Sequence, residues 1–199
     1  GNISKLIAQS LLETDHQVTV IGRSAEHLKP LTEKGAKAAI GSLEDQAFVT
    51  EAFKEADAVY LMIPPNYTAP AFRAYQNKVA DVFVDALKAN DIKYAVILSS
   101  IGAHMGDGAG PIDGLSDLEK KLHDLPNLNV KNLRPSYFMT NFLGMIPMIK
   151  GMNMMGSNFG GNSSKLVLTD TSDIAAAATE ELLALNFIGQ TVRYIASDE

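Results

Sequence analysis

The chain has 199 residues, 46% hydrophobic and 20% charged, with a net charge of −6 and neither cysteine nor tryptophan. That composition describes an ordinary globular domain, long enough to bury roughly 70% of its extended-state surface without a disulfide or metal staple. It excludes disulfides, thiol nucleophiles and cysteine-based zinc sites, and an acidic balance with no basic run argues against a nucleic-acid partner. The longest apolar runs fall short of the roughly 20 residues of a membrane helix. A cytoplasmic protein with no membrane partner is expected.

In chain order, Ile3, Leu6, Ile7, Leu11 and Leu12 recur at helical spacing and predict a helix over 3–13, already under way where the sequence opens. The pattern then predicts a strand over 17–21, a helix over 25–34, a strand over 36–40 and a helix over 45–55. A strand over 58–63, a long helix over 71–90, a strand over 94–99, a helix over 115–124 and a strand over 130–133 follow. Residues 141–170 are expected to form an irregular substrate-side segment, because 141–165 is rich in Met, Gly and Asn, has no clear period and contains Pro147. A helix over 172–185 and a strand over 191–196 complete the alternation. The runs AVYLMI and YAVILSS are apolar on both faces, which suits strands covered by helices on either side. Together these features predict one α/β domain over 1–199, a Rossmann-type doubly wound parallel sheet with helices on both faces and a small irregular C-terminal substrate region.

In such a sheet ligands sit beyond the carboxyl ends of the strands, so the residues following each strand carry the functional information. Gly1, Asn2, Ile3 and Ser4 stand at a helix amino end, where free N–H groups and the helix dipole favour phosphate; a plain helix start explains them as well. Arg23 and Ser24 follow the 17–21 strand, where a dinucleotide site meets the adenosine ribose. An acidic residue there would select NAD, whereas Arg offers a charged fork to the 2′-phosphate of NADP. A surface arginine ahead of a Ser-capped helix is the competing explanation. Ser42 and Leu43 precede an acidic helix start and read most simply as that start. Ile63, Pro64 and Pro65 end a strand in an extended bend that would run along adenine and ribose in a nucleotide cleft. Ser99 and Ser100 put two hydroxyls at the next strand end, without the G-x-S-x-G elbow of an acyl-transfer nucleophile. His104 is a candidate proton donor or a solvated loop histidine. No carboxylate or histidine pattern reads as a metal site.

Taken in order, GNIS, VIGRS, LMIPP, VILSSIGAH, NLRPSYFMTNFL and TDTSDIAAAATEELL resemble the NmrA-like branch of the atypical short-chain dehydrogenases and reductases over essentially the whole chain. The bacterial quinone and azo-dye reductase members are the most similar. The resemblance implies that Gly1 to Ser4 belong to the pyrophosphate turn and that Arg23 and Ser24 meet the 2′-phosphate. It puts Ser42 and Leu43 beside adenine, Ile63, Pro64 and Pro65 beside ribose, and Ser99 and Ser100 beside nicotinamide. Pro135, Tyr137, Phe138, Asn141 and Phe142 would line the substrate side. It also implies a first strand and a first motif glycine upstream of Gly1, and a helical portion after the final strand.

Short-chain dehydrogenases that oxidise alcohols use a Tyr-x-x-x-Lys pair, the lysine lowering the tyrosine pKa. Here Asn141 stands four residues after Tyr137, so the resemblance points to direct hydride transfer from NADPH, or from NADH, to a quinone-like small molecule, with Tyr137 or His104 as candidate proton donors. A non-enzymatic NADP-binding redox sensor of the NmrA type is the alternative, and epimerase or dehydratase chemistry ranks below both. A homodimer is the expected assembly.

Overall fold

The protein is described by a computed structural model over residues 1–156 and 166–197. Along the chain run α1 (Asn2–Leu12), β1 (Thr19–Gly22), α2 (Ala25–Thr32), β2 (Lys37–Ile40), α3 (Gln46–Ala52), β3 (Ala58–Leu61), α4 (Phe72–Ala89) and β4 (Tyr94–Leu98). They are followed by α5 (Asp113–His123), β5 (Asn129–Pro135), β6 (Tyr137–Phe138), α6 (Ile146–Met152), β7 (Leu168–Thr169), α7 (Thr171–Ala184) and β8 (Gln190–Ile195). Side chains mark several of the helix starts. Ser24 caps α2, Asp45 caps α3 through the Phe48 N–H at 3.0 Å, and Asp170 caps α7 through the Ser172 N–H at 2.7 Å, each supplying an acceptor to a donor the helix leaves unpaired.

All pairings are parallel. The central ladder has the order β3-β4-β5-β8, and β1 pairs with β2 in a separate ladder with Thr19 opposite Lys37. Among the described residues no strand lies between β1 and β3. Their side chains nevertheless share one core, since Ile21 of β1 packs against the cluster that contains Val59 and Leu61 of β3. On that face Val49, Phe53, Val79, Phe83, Leu87, Leu118 and Leu122 bring α3, α4 and α5 onto the sheet. On the other face Ile3 and Ile7 of α1 and Ile174, Ala175 and Ala178 of α7 cover Val96 and Leu133. Helices on both faces explain why the strands read as continuous apolar runs rather than alternating ones.

One expectation needs adjusting. The strand expected over 58–63 stops at Leu61, ahead of the two prolines whose rings cannot extend the ladder. The segment expected over 141–170 begins within a 3₁₀ segment, Met139–Met145, followed by α6, and β6 pairs in parallel with β7; residues 157–165 lie outside the described residues.

Candidate functional site

Because the strands are parallel, their carboxyl ends gather on one edge, and the residues singled out in the sequence fall there. α1 begins at this edge without a capping side chain, leaving its first N–H groups free for a ligand. A Cβ on Gly1 would meet only the Met62 side chain, at 3.9 Å, so the start of α1 lies beside the end of β3. Ile3 itself points into the core, and only its backbone can serve the edge. Gly22 and Gly41, at the ends of β1 and β2, are packing glycines: a Cβ would come within 3.0 Å of Leu28 in the first case and 2.6 Å of the Phe48 ring in the second.

Arg23 is exposed. Among the four arginines, Arg73, Arg134 and Arg193 are all committed to ion pairs, whereas Arg23 makes no ion pair or hydrogen bond among the described residues. Ser24 beside it accepts the His27 N–H at 3.5 Å as the cap of α2. Ser42 accepts the Glu44 N–H at 3.2 Å, and Leu43 leans into the core. Ile63 is buried, Pro65 is exposed, and the Pro64 carbonyl accepts the Tyr75 hydroxyl at 3.1 Å, which fixes the proline bend to α4. Burial and the Glu44 carboxylate push the Tyr75 phenol above its ordinary pKa while Arg23 pulls it down, so Arg23, Glu44 and Tyr75 share one electrostatic neighbourhood joining the ends of β1, β2 and β3. Lys78 binds Glu44 at 2.8 Å, keeping that carboxylate occupied.

At the end of β4 the two serines diverge. Ser99 is only 4% exposed and its hydroxyl donates to Glu119, while Ser100 is partly exposed and its hydroxyl, among the described residues, bonds only the neighbouring Ile101 carbonyl, at 3.1 Å. Glu119 is also gripped by Arg134, through Nε at 3.1 Å and Nη2 at 2.5 Å, and Arg134 reaches the Tyr194 hydroxyl at 3.1 Å. The Glu119 bonds raise the guanidinium pKa further beyond its ordinary range. His104 is exposed in a 3₁₀ turn, Ala103–Met105, entered through Gly102, whose φ of 89° suits a residue without Cβ. The loop carrying it is strapped by Arg73, which binds Asp107 at 2.7 Å and Asp117 at 2.7 Å. Arg73 and Asn77 hold the Asp117 carboxyl down at about 2.

At the end of β5 Pro135 is buried, and its carbonyl accepts the Ile101 N–H at 2.9 Å. Ser136 and Thr169 share a 2.6 Å hydroxyl contact, and Thr169 donates to the Ile195 carbonyl at 2.8 Å, joining the end of β5 to β7 and β8. The Tyr137 and Phe142 rings meet edge to face at 5.5 Å, Phe138 leans on the core, and Asn141 is exposed. Leu143, Met152, Met154 and Met155, in the segment that follows β6, and Met105, in the loop after β4, are exposed apolar residues. Among the described residues no group of three or more carboxylates and histidines is placed to hold a metal, and no helix is long and apolar enough to cross a membrane.

Glu119, Arg134, Tyr75 and Thr169 were not evident in the sequence. An arginine directly after Leu133 in β5 is the one available signal, since a charged residue in a buried strand requires a partner.

An uncapped helix start, a free guanidinium and a proline bend along the carboxyl edge of a parallel sheet define a dinucleotide-binding α/β domain. Residues 1–122 match the NAD(P)H-binding family, and the chain belongs to it, in keeping with the NmrA-like resemblance. The fold is shared with the NADPH-dependent quinone oxidoreductase of Escherichia coli solved with NADPH, at a TM-score of 0.79 and 22% identity over 98% of this chain and 66% of that one. It is shared with the triphenylmethane reductase of Citrobacter sp. complexed with NADP(H), at 0.78 and 18% over 99% of this chain and 67% of the other. A nucleoside-diphosphate-sugar epimerase of Staphylococcus aureus also matches, at 0.78 and 14% over 98% and 68%. This chain therefore spans about two thirds of the length of these structures. No curated protein matches it significantly.

Proposed function

We propose that this protein is an NADPH-dependent reductase that delivers hydride to a quinone-like or other electron-poor small molecule, with NADH as the poorer cofactor. The observation carrying the cofactor preference is the Arg23 guanidinium at the end of β1, unpaired among the described residues, since a cation with no partner there loses nothing by turning to a 2′-phosphate. The free N–H groups at Asn2, Ile3 and Ser4 suit the pyrophosphate, and the bend at Pro64 and Pro65, pinned by Tyr75, supplies a rigid wall for the ribose. Ser42 and Leu43 complete the adenine side.

When bound, the nicotinamide ring supplies the hydride; the chain's own residues orient it and the acceptor. Ser100 offers a hydroxyl at the nicotinamide end. Tyr137 and Phe142 offer an edge-to-face aromatic pair, and the chain segment that follows them carries exposed methionines of the kind that adapt to flat apolar molecules. A quinone oxygen needs positioning more than a strong base, so the absence of lysine four residues after Tyr137 is no obstacle; the proton comes from water, His104 or Tyr137. The reading includes a cytoplasmic setting, a homodimeric assembly and no nucleic-acid or membrane partner.

The test is NADPH consumption with a panel of benzoquinones, naphthoquinones, azo and triphenylmethane dyes. Turnover with at least one acceptor is expected; none above the protein-free rate would defeat the proposal. The second reading, a non-enzymatic sensor of NADP redox state, uses the same Arg23 site and draws support from the Ser99 hydroxyl facing Glu119 instead of the cleft. It requires equal affinity for oxidised and reduced cofactor with no turnover.

A further inference from the structure

We infer that Glu119 is a positioning residue: by capturing the Ser99 hydroxyl and clamping it to β5, it leaves Ser100 as the hydroxyl presented to the bound reactants. The inference rests on the reductase reading for its kinetic consequence but not for its structural one.

One carboxylate here receives three donors, one from the residue just past β4 and two from β5. Ser99 follows β4, Arg134 lies in β5, and both reach Glu119 on α5, in a pocket where the Glu119 and Arg134 side chains are only 12% and 10% exposed. Arg134 extends the connection to β8 through Tyr194. A paired charge so little exposed is held in one geometry, because any other leaves a desolvated ion unmatched. The backbone agrees with the side chains. Beyond the last residue of β4, the Ser99 N–H still bonds the Leu133 carbonyl at 2.8 Å and the Ile101 N–H bonds the Pro135 carbonyl at 2.9 Å. Ser100 lies between these two stitches, and in extended chain successive side chains point to opposite sides, so fixing Ser99 inward turns Ser100 outward. Its single bond, to the adjacent carbonyl, is readily exchanged for one to a ligand.

The arrangement separates this role from general support of the helix. α5 is anchored independently by Leu118 and Leu122 in the core and by Asp117 with Arg73. Loss of the Glu119 charge therefore loosens the strand-end turn without releasing α5.

The experiment compares wild type with Glu119→Gln, Ser99→Ala and Ser100→Ala by steady-state kinetics with NADPH and a quinone, by thermal melting, and by hydrogen exchange at the Ile101 amide. Glu119→Gln is expected to stay folded, to lower kcat about tenfold to 100-fold with KM for NADPH within about twofold, and to speed Ile101 exchange at least about tenfold. Ser100→Ala should lower kcat with Ile101 exchange as in wild type, and Ser99→Ala should resemble a mild Glu119→Gln. Wild-type exchange at Ile101 in Glu119→Gln would overturn the inference. So would a loss of kcat in Ser99→Ala larger than in Ser100→Ala with Ile101 protection intact, because Ser99 would then be the contacting hydroxyl. Should the wild type consume no NADPH with any acceptor, the reductase reading fails, while the exchange comparison still decides whether Glu119 sets this turn.

Discussion

Replacing Arg23 with glutamate tests the cofactor assignment at its most exposed point. The guanidinium has no ion pair or hydrogen bond among the described residues, so its removal breaks nothing internal, and surface substitutions of this kind leave stability within about 0.5 kcal/mol. In an NADPH complex it would donate charge-assisted hydrogen bonds, worth about 1.5–3 kcal/mol, and exposure favours the low end. A carboxylate in its place adds repulsion of about 1 kcal/mol per unit charge at 4 Å in water. Together these give about 2.5 kcal/mol, or a rise in Kd for NADPH of roughly 50- to 100-fold, with Kd for NADH changing less than about threefold. Fluorescence titration with each cofactor measures both constants. The discrimination should also shrink as salt rises, since exposed charges are screened over about 10 Å at 0.1 M. Equal weakening of both cofactors would refute the placement of the 2′-phosphate at Arg23.

Thr169 is completely buried and its hydroxyl serves both Ser136 and Ile195, so Thr169→Val should cost about 2–3 kcal/mol in urea unfolding and Thr169→Ser much less. The Tyr60 hydroxyl is buried with no hydrogen-bond partner among the described residues, and burial raises its pKa; Tyr60→Phe should leave stability unchanged or raise it by about 1 kcal/mol in the same assay. Asp117 has its pKa lowered from 3.8 to about 2, chiefly by the hydrogen bond from Arg73. A depressed carboxylate contributes stability that is complete above its unfolded pKa of about 4 and is lost as pH falls through the folded value, so urea midpoints should decline between about pH 4 and pH 2. In Arg73→Met that component of the decline should be much smaller.

The fold was legible because helices cover both faces of the sheet, which forces the unbroken apolar runs at β3 and β4 into view. Strand ends were legible for the same reason, and with them the location of Arg23. Whether Arg23 was already spoken for was not, because an ion pair joins residues that chain order separates. Glu119 and Arg134 lie 15 positions apart, and Lys78 and Glu44 lie 34 apart. The direction of a hydroxyl is equally hidden. Ser99 and Ser100 are identical and adjacent in sequence, yet one hydroxyl bonds a carboxylate and the other a neighbouring backbone carbonyl. Tyr75 escaped notice because a tyrosine at helical spacing reads as ordinary core, and only the bond to Pro64 gives it a place in the site.

The Arg73 bridges to Asp107 and Asp117 tie the loop carrying His104 to α4 and α5 largely through charge, so rising salt should loosen this loop before it loosens the apolar core.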